Sequence, residues 1–132
     1  VLYLRKLGAL SQRTILVHAN WLEDRELDAL AEAGAGVVCT PGTTMRLGQG
    51  PTRIKDMAER GVTVSLGTGG ACRVAQASIP DEMRMAALAH KMVFLDPAAA
   101  TAEQVFRMGT FHGGLHLNSP LGSIAPGMKA DF

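Results

Sequence analysis

The 132-residue chain is 47% hydrophobic and 19% charged, the composition of a folded globular chain and too apolar for a disordered one. A formal net charge of +1, with Lys and Arg scattered rather than gathered in a stripe, provides no basic field for a phosphate backbone and excludes nucleic acid as an expected partner. No apolar run approaches the about 20 residues of a membrane helix, so no membrane partner is expected, and Cys39 and Cys72, without CxxC or Cys/His metal spacing, fit free thiols in a cytoplasm.

In chain order, VLYLRKLGAL lacks the basic-then-apolar order and small-residue cleavage site of a signal peptide, and reads as a helix entered partway along. TILVHAN (14–20) is a short apolar, β-branched run that predicts a strand buried on both faces. EDRELDALAEAG then sets Leu27, Leu30 and Ala31 at helical spacing and ends on Gly34. The pattern repeats: AGVVCTPG predicts a strand into a turn, PTRIKDMAERG a helix with Ile54, Met57 and Ala58 inward, and VTVSLGTGG a strand into a glycine turn. PDEMRMAALAHKMVF (80–94) predicts a helix with a strong apolar face, and TAEQVFRMGTFHGGLHL opens with a Thr101 to Gln104 capping box and predicts a second. The tail NSPLGSIAPGMKADF is rich in turn formers, with short strands expected at GSIA and from KADF.

Strands alternating with helices imply parallel pairing through right-handed crossovers, in a doubly wound sheet or part of a (β/α)8 barrel. Three strands are too few for either, and a whole barrel needs roughly 200 residues or more, so the expectation is a portion of a larger fold. In such folds the working groups lie at the carboxyl ends of the strands. That criterion selects His18, Cys39 to Thr44, and Thr68 to Cys72 as one rim. A histidine at a strand end can bind metal, move a proton near neutral pH, or simply be hydrogen bonded. His112 and His116 are four residues apart but lack the neighbouring glutamate of a zinc helix, and are read as structural. His90 is expected at a partly exposed helix position, and the seven methionines as core filler. The glycine turn fits neither the dinucleotide fingerprint nor a Walker loop, and no nucleophile elbow is present.

Taken together, ILVHANWLEDRELDALAEAGAGVVCTPGTTMRLGQG, DMAERGVTVSLGTGGA, DEMRMAALAHK and LGSIAPGMKADF resemble the last third of the amidohydrolase superfamily, in its aminohydrolase branch of methylthioadenosine/S-adenosylhomocysteine, guanine and cytosine deaminases and triazine hydrolases. The resemblance implies an α/β fold: the C-terminal part of a metal-dependent-hydrolase (β/α)8 TIM barrel. In it, 14–20, 36–39 and 62–66 stand for strands six to eight within a partial barrel over 1–120, and 121–132 begin the return into a small β-sandwich. It also implies a zinc or iron ion that activates water for attack on a ring carbon. His18 matches the histidine that ends the sixth strand, as metal ligand or catalytic group, while Cys39, Thr43 and Thr44 occupy substrate-contacting positions. Cys39 stands where the family has histidine, Thr43 and Thr44 where it has serine and asparagine, and Arg73-Val74-Ala75 where it has Ser-Asn-Asn. Gly69 stands where the family places its metal-binding aspartate. The first-strand His-x-His pair, the fifth-strand histidine and the catalytic glutamate would all lie upstream.

The expectation is therefore a fragment or degenerate member of a hydrolase acting on C–N bonds, inactive as this chain alone and not binding metal alone. The alternative is a non-catalytic module that binds a small polar heterocycle, of purine, pterin or triazine type, or that associates with itself as a homo-oligomer through unpaired sheet edges.

Overall fold

The structure is a computed structural model that describes residues 1–70 and 77–131. Cys72 and the Arg73-Val74-Ala75 triplet lie outside the described residues, as does Phe132. In chain order the elements are α1 (Leu2–Lys6), β1 (Ile15–Val17), α2 (Asp24–Ala33), β2 (Gly36–Cys39), α3 (Pro41–Arg46), α4 (Ile54–Glu59), β3 (Val64–Leu66), α5 (Ile79–Phe94), α6 (Ala102–Gly109) and α7 (Phe111–His116). The three strands form one parallel sheet in the order β1-β2-β3.

Register decides what each strand buries. Val17, Val38 and Ser65 stand side by side, as do Leu16, Val37 and Val64, and as do Cys39 and Leu66. Because side chains alternate across a strand, Leu16, Val37, Cys39, Val64 and Leu66 share one face. They join Leu27 and Leu30 of α2, Ile54 and Met57 of α4, Ala86 of α5, and Val105 and Met108 of α6 in a single apolar core. On the opposite face Ser65 is covered by His116, whose Nδ1 lies 2.9 Å from the hydroxyl, but Ile15 and Val17 remain 38% and 55% exposed. The expectation of a strand buried on both faces fails here: β1 ends the described sheet, and no described element covers its second face.

The helices begin and end where their chemistry directs. α2 has a capping box between Glu23 and Glu26 and stops at Gly34, and α6 has the Thr101–Gln104 box read from the sequence. Ser78 accepts from Asp81 N at the start of α5, whose proline lies in the first turn. Other expectations shift. The turn after β2 winds into α3, because Pro41 sits at the start of a helical turn and needs no N–H partner there. Ala58 faces solvent, since Ile54 and Met57 alone are buried on α4. The helix expected across 101–117 breaks at Thr110, where ψ is −90° and the chain re-enters α7. GSIA forms bends and the described part of KADF is irregular, rather than strands, because no described strand lies alongside them to complete a ladder.

α5 departs furthest from its pattern. Its fully buried residues are Glu82, Ala86 and His90, at i, i+4 and i+8, while Leu88 and Met92 are exposed. His90 is therefore not a surface position: its Nδ1 lies 2.8 Å from Ala86 O and its Nε2 2.7 Å from Thr52 O. The ring pins α5 to the segment before α4. Of the methionines only Met57 and Met108 are fully buried, and Met45 and Met92 are exposed, so they are not uniformly core filler.

Candidate functional site

The carboxyl ends of the three strands bring the rim residues to one end of the sheet, and the local backbone explains how each is held. β1 ends in two successive left-handed residues, His18 (φ +71°) and Ala19 (φ +49°). Neither is glycine, so the turn carries strain that its neighbours must offset. They do: His18 N donates to Val38 O at 2.9 Å, Ala19 N to Val17 O at 3.1 Å, and the Thr52 hydroxyl donates to His18 O at 2.9 Å. The strained turn aims the imidazole across the end of the sheet, where Nδ1 lies 2.6 Å from the Thr40 hydroxyl. Thr40 is 1% exposed and is the first residue past β2.

The remaining candidates separate into two groups. Thr43, fully buried on α3, donates from its hydroxyl to Thr68 O at 3.3 Å, and so reaches the glycine turn after β3. Gly69, in that turn, has φ +71°. Cys39 belongs to the other face of β2. Its thiol points into the core, where burial pushes its pKa up to about 11, with Thr52 opposing and the Glu82 charge reinforcing the shift. At neutral pH it is a thiol and not a ready metal ligand or nucleophile. Cys39 and Thr44 line a cavity of about 220 Å³ together with Thr52, His90, Met45 and Met92; His18, Thr43 and Gly69 are not among its walls. Thr44 itself donates to Pro41 O at 3.0 Å.

Three residues without an individual role in the sequence reading organise this end: Thr40, inside the selected rim, and Thr52 and Glu82, outside it. Thr40 holds His18. Thr52 binds the His18 carbonyl through its hydroxyl, lies 2.8 Å from Asn20 Oδ1, and receives His90 on its own carbonyl. Glu82 is 1% exposed; its Oε2 accepts from Gly42 N at 2.8 Å, while Oε1 has no partner among the described residues. Burial raises the Glu82 pKa, the Gly42 N–H opposes, and Asp81 adds to the rise. A threonine after the Cys-Thr-Pro corner and a glutamate on the inner stripe of α5 were visible as residues, but only their partners give them roles. His112 and His116 are structural as expected: His112 Nδ1 lies 2.7 Å from Val64 O, and His116 Nε2 3.2 Å from Thr63 O.

Chemically, this end of the sheet offers one imidazole, two threonine hydroxyls and backbone carbonyls. Among the described residues no three His, Cys, Asp or Glu side chains gather closely enough to hold a metal ion. It can donate and accept hydrogen bonds to a polar ligand but supplies only one first-rate metal donor.

Comparison with known proteins places this geometry. The chain is 40% identical over 130 residues to a 5'-deoxyadenosine deaminase of Methanothermobacter thermautotrophicus, a match covering 98% of this chain and 30% of that protein. It is 37% identical over 129 residues to a 5-methylthioadenosine/S-adenosylhomocysteine deaminase of Pyrococcus abyssi, again 98% of this chain and 30% of the relative. A crystal structure of an adenosine deaminase from Xanthomonas campestris with bound zinc superposes with a TM-score of 0.93 at 30% identity, covering 98% of this chain and 30% of that one. The chain thus spans about a third of the length of the relatives it matches. The sequence pattern of the amidohydrolase family extends over residues 2–132. Since that span takes in all three strands and every described helix, the chain belongs to the amidohydrolase family.

Proposed function

We propose that this chain is the C-terminal barrel portion of an amidohydrolase acting on C–N bonds of small polar heterocycles, and that it does not turn over substrate by itself. β1, β2 and β3 correspond in this reading to barrel strands six, seven and eight, and residues 121–131 to the approach to a flanking sandwich. The observation that carries it is the family match across residues 2–132 at about 30% of the length of deaminase relatives. His18, at the end of β1 and held by Thr40, is the group that would contact substrate or reaction centre.

The residues present do not fit a metal ion. Zinc needs about three protein donors before it lowers the pKa of a bound water towards neutrality. Among the described residues His18 is the single candidate, the Cys39 thiol is buried on the far face with its proton retained, and position 69 has no side chain. No step is therefore assigned to a metal held by this chain. What its own residues can do is orient a polar ring through the His18 imidazole, which the buried Thr40 hydroxyl holds in place. The test is metal content together with ammonia release from adenosine, guanine or a triazine, measured on the purified 132-residue chain. Less than stoichiometric zinc and iron with no ammonia is expected; stoichiometric metal with turnover would overturn the reading.

A further inference from the structure

Thr40 is the N-cap residue of α3, a position where a threonine oxygen ordinarily accepts from the second or third N–H of its helix. This one makes no such bond. Gly42 N, the second of those groups, donates instead to Glu82 Oε2 at 2.8 Å, so a carboxylate on α5 does the capping. The Thr40 hydroxyl is left with one partner among the described residues, His18 Nδ1 at 2.6 Å.

Two placements of the protons fit that distance, and burial decides between them. If the ring carried its proton on Nδ1 and donated it to the threonine oxygen, the hydroxyl proton would have no acceptor, in a position 1% exposed. If the hydroxyl donates to the Nδ1 lone pair, its proton is satisfied and the neutral ring carries its own proton on Nε2. A buried donor without an acceptor costs more than an ordinary hydrogen bond returns, which favours the second placement.

We infer that Thr40 fixes the tautomer of His18: its hydroxyl donates to Nδ1, and the neutral imidazole offers an Nε2–H donor to a ligand at the carboxyl end of the sheet. His18 is half-buried, and its Nε2 has no partner among the described residues. The ligand atom that meets it is an acceptor, such as a ring carbonyl oxygen or a ring nitrogen with its lone pair. A metal ion on Nε2 would need the lone pair there, which reverses the Thr40 bond and strands the hydroxyl proton. That is an obstacle separate from the shortage of donors. Thr40 is thus a positioning residue that acts through His18. The heterocyclic nature of the ligand rests on the function proposed above, whereas the tautomer rests on contacts within this chain.

The test is nitrogen NMR of the imidazoles in the purified 132-residue chain at a pH where the rings are neutral, with His18→Gln identifying the His18 signals among the four histidines. In the parent the Nε2–H form is expected to outnumber the Nδ1–H form by roughly tenfold or more. Thr40→Ser should keep that ratio, and Thr40→Val, which retains the shape without the hydroxyl, should lower it by about threefold or more. A parent ring protonated on Nδ1, or a ratio unchanged in Thr40→Val, would overturn the inference, and the parent spectrum is decisive by itself if Thr40→Val fails to fold. Inosine, whose ring carbonyl is an acceptor, is then added at millimolar concentration and should shift the Nε2 signal of the parent. An Nε2–H tautomer that depends on Thr40 but does not respond to inosine supports the inference while counting against the heterocycle reading alone.

Discussion

Glu82 is the residue whose burial and hydrogen bonding disagree most. One carboxylate oxygen is used by Gly42 N and the other has no partner among the described residues, in a position 1% exposed. Burial raises its pKa, so the folded protein holds a proton that the unfolded chain has already released. The stability contributed by that proton is full below the ordinary carboxylate value of 4.5 and is lost as pH rises above it. Glu82→Gln, which still accepts from Gly42 N, should flatten this fall; urea midpoints of parent and variant measured from pH 4 to 8 should diverge in the variant's favour as pH rises. Glu82→Ala should instead cost about 1–3 kcal/mol below pH 4.5, by leaving the Gly42 N–H without its acceptor, and less as pH rises. Neither role was legible from the sequence, where Glu82 is one charge in PDEMR. Thr40 lay within the selected rim, but its role escaped for a related reason: its partner, His18, lies 22 residues earlier and turns toward it only because β1 ends in two left-handed residues. Gly69, by contrast, stood out at once, because its place in the glycine turn could be read without knowing any contact.

At the scale of elements, the alternation of strand and helix was legible because glycine stops and apolar spacing are local signals. The buried stripe of α5 was not. Apolar spacing points to Leu88 and Met92, but the helix lies with Glu82, Ala86 and His90 inward, since Gly42 N and Thr52 O, on other elements, offer those side chains hydrogen bonds. The two-helix break at Thr110 was hidden in the same way, by an apolar pattern that continues across it. α7 illustrates what such packing does to titration. His116 lies against Ser65 and the Thr63 carbonyl, and burial holds its pKa below the ordinary 6.5, with the Thr63 carbonyl opposing and His112 adding to the depression. A proton taken up by the unfolded chain is thus resisted by the folded one, and the stability this provides is present above pH 6.5 and lost as pH falls below it. His116→Gln should remove that part of the acid sensitivity while shifting neutral-pH stability by about 1 kcal/mol, as read by thermal melts at pH 5, 6 and 7.5.

For the molecule as a whole, the sheet has one covered face and one partly open one. Ile15 and Val17 present apolar surface beside the outer backbone edge of β1, a combination that favours pairing with another chain. The 132-residue chain by itself should therefore self-associate, and Val17→Lys should shift its sedimentation toward the monomer without lowering its melting temperature; a monodisperse monomeric parent would rule the association out. That a doubly wound sheet or part of a barrel could be suspected from three strands reflects their alternation with helices, which implies parallel pairing; the preference for a barrel came from the family resemblance. The same order has a consequence for synthesis. Strand order in space is strand order in the chain, so on a translating ribosome each new strand of this block emerges to find its neighbour already made. β2 has its partner upstream when Cys39 is added, and β3 follows from Val64 onward. Assembly of the described strands can run in one direction, with no strand waiting for a later one.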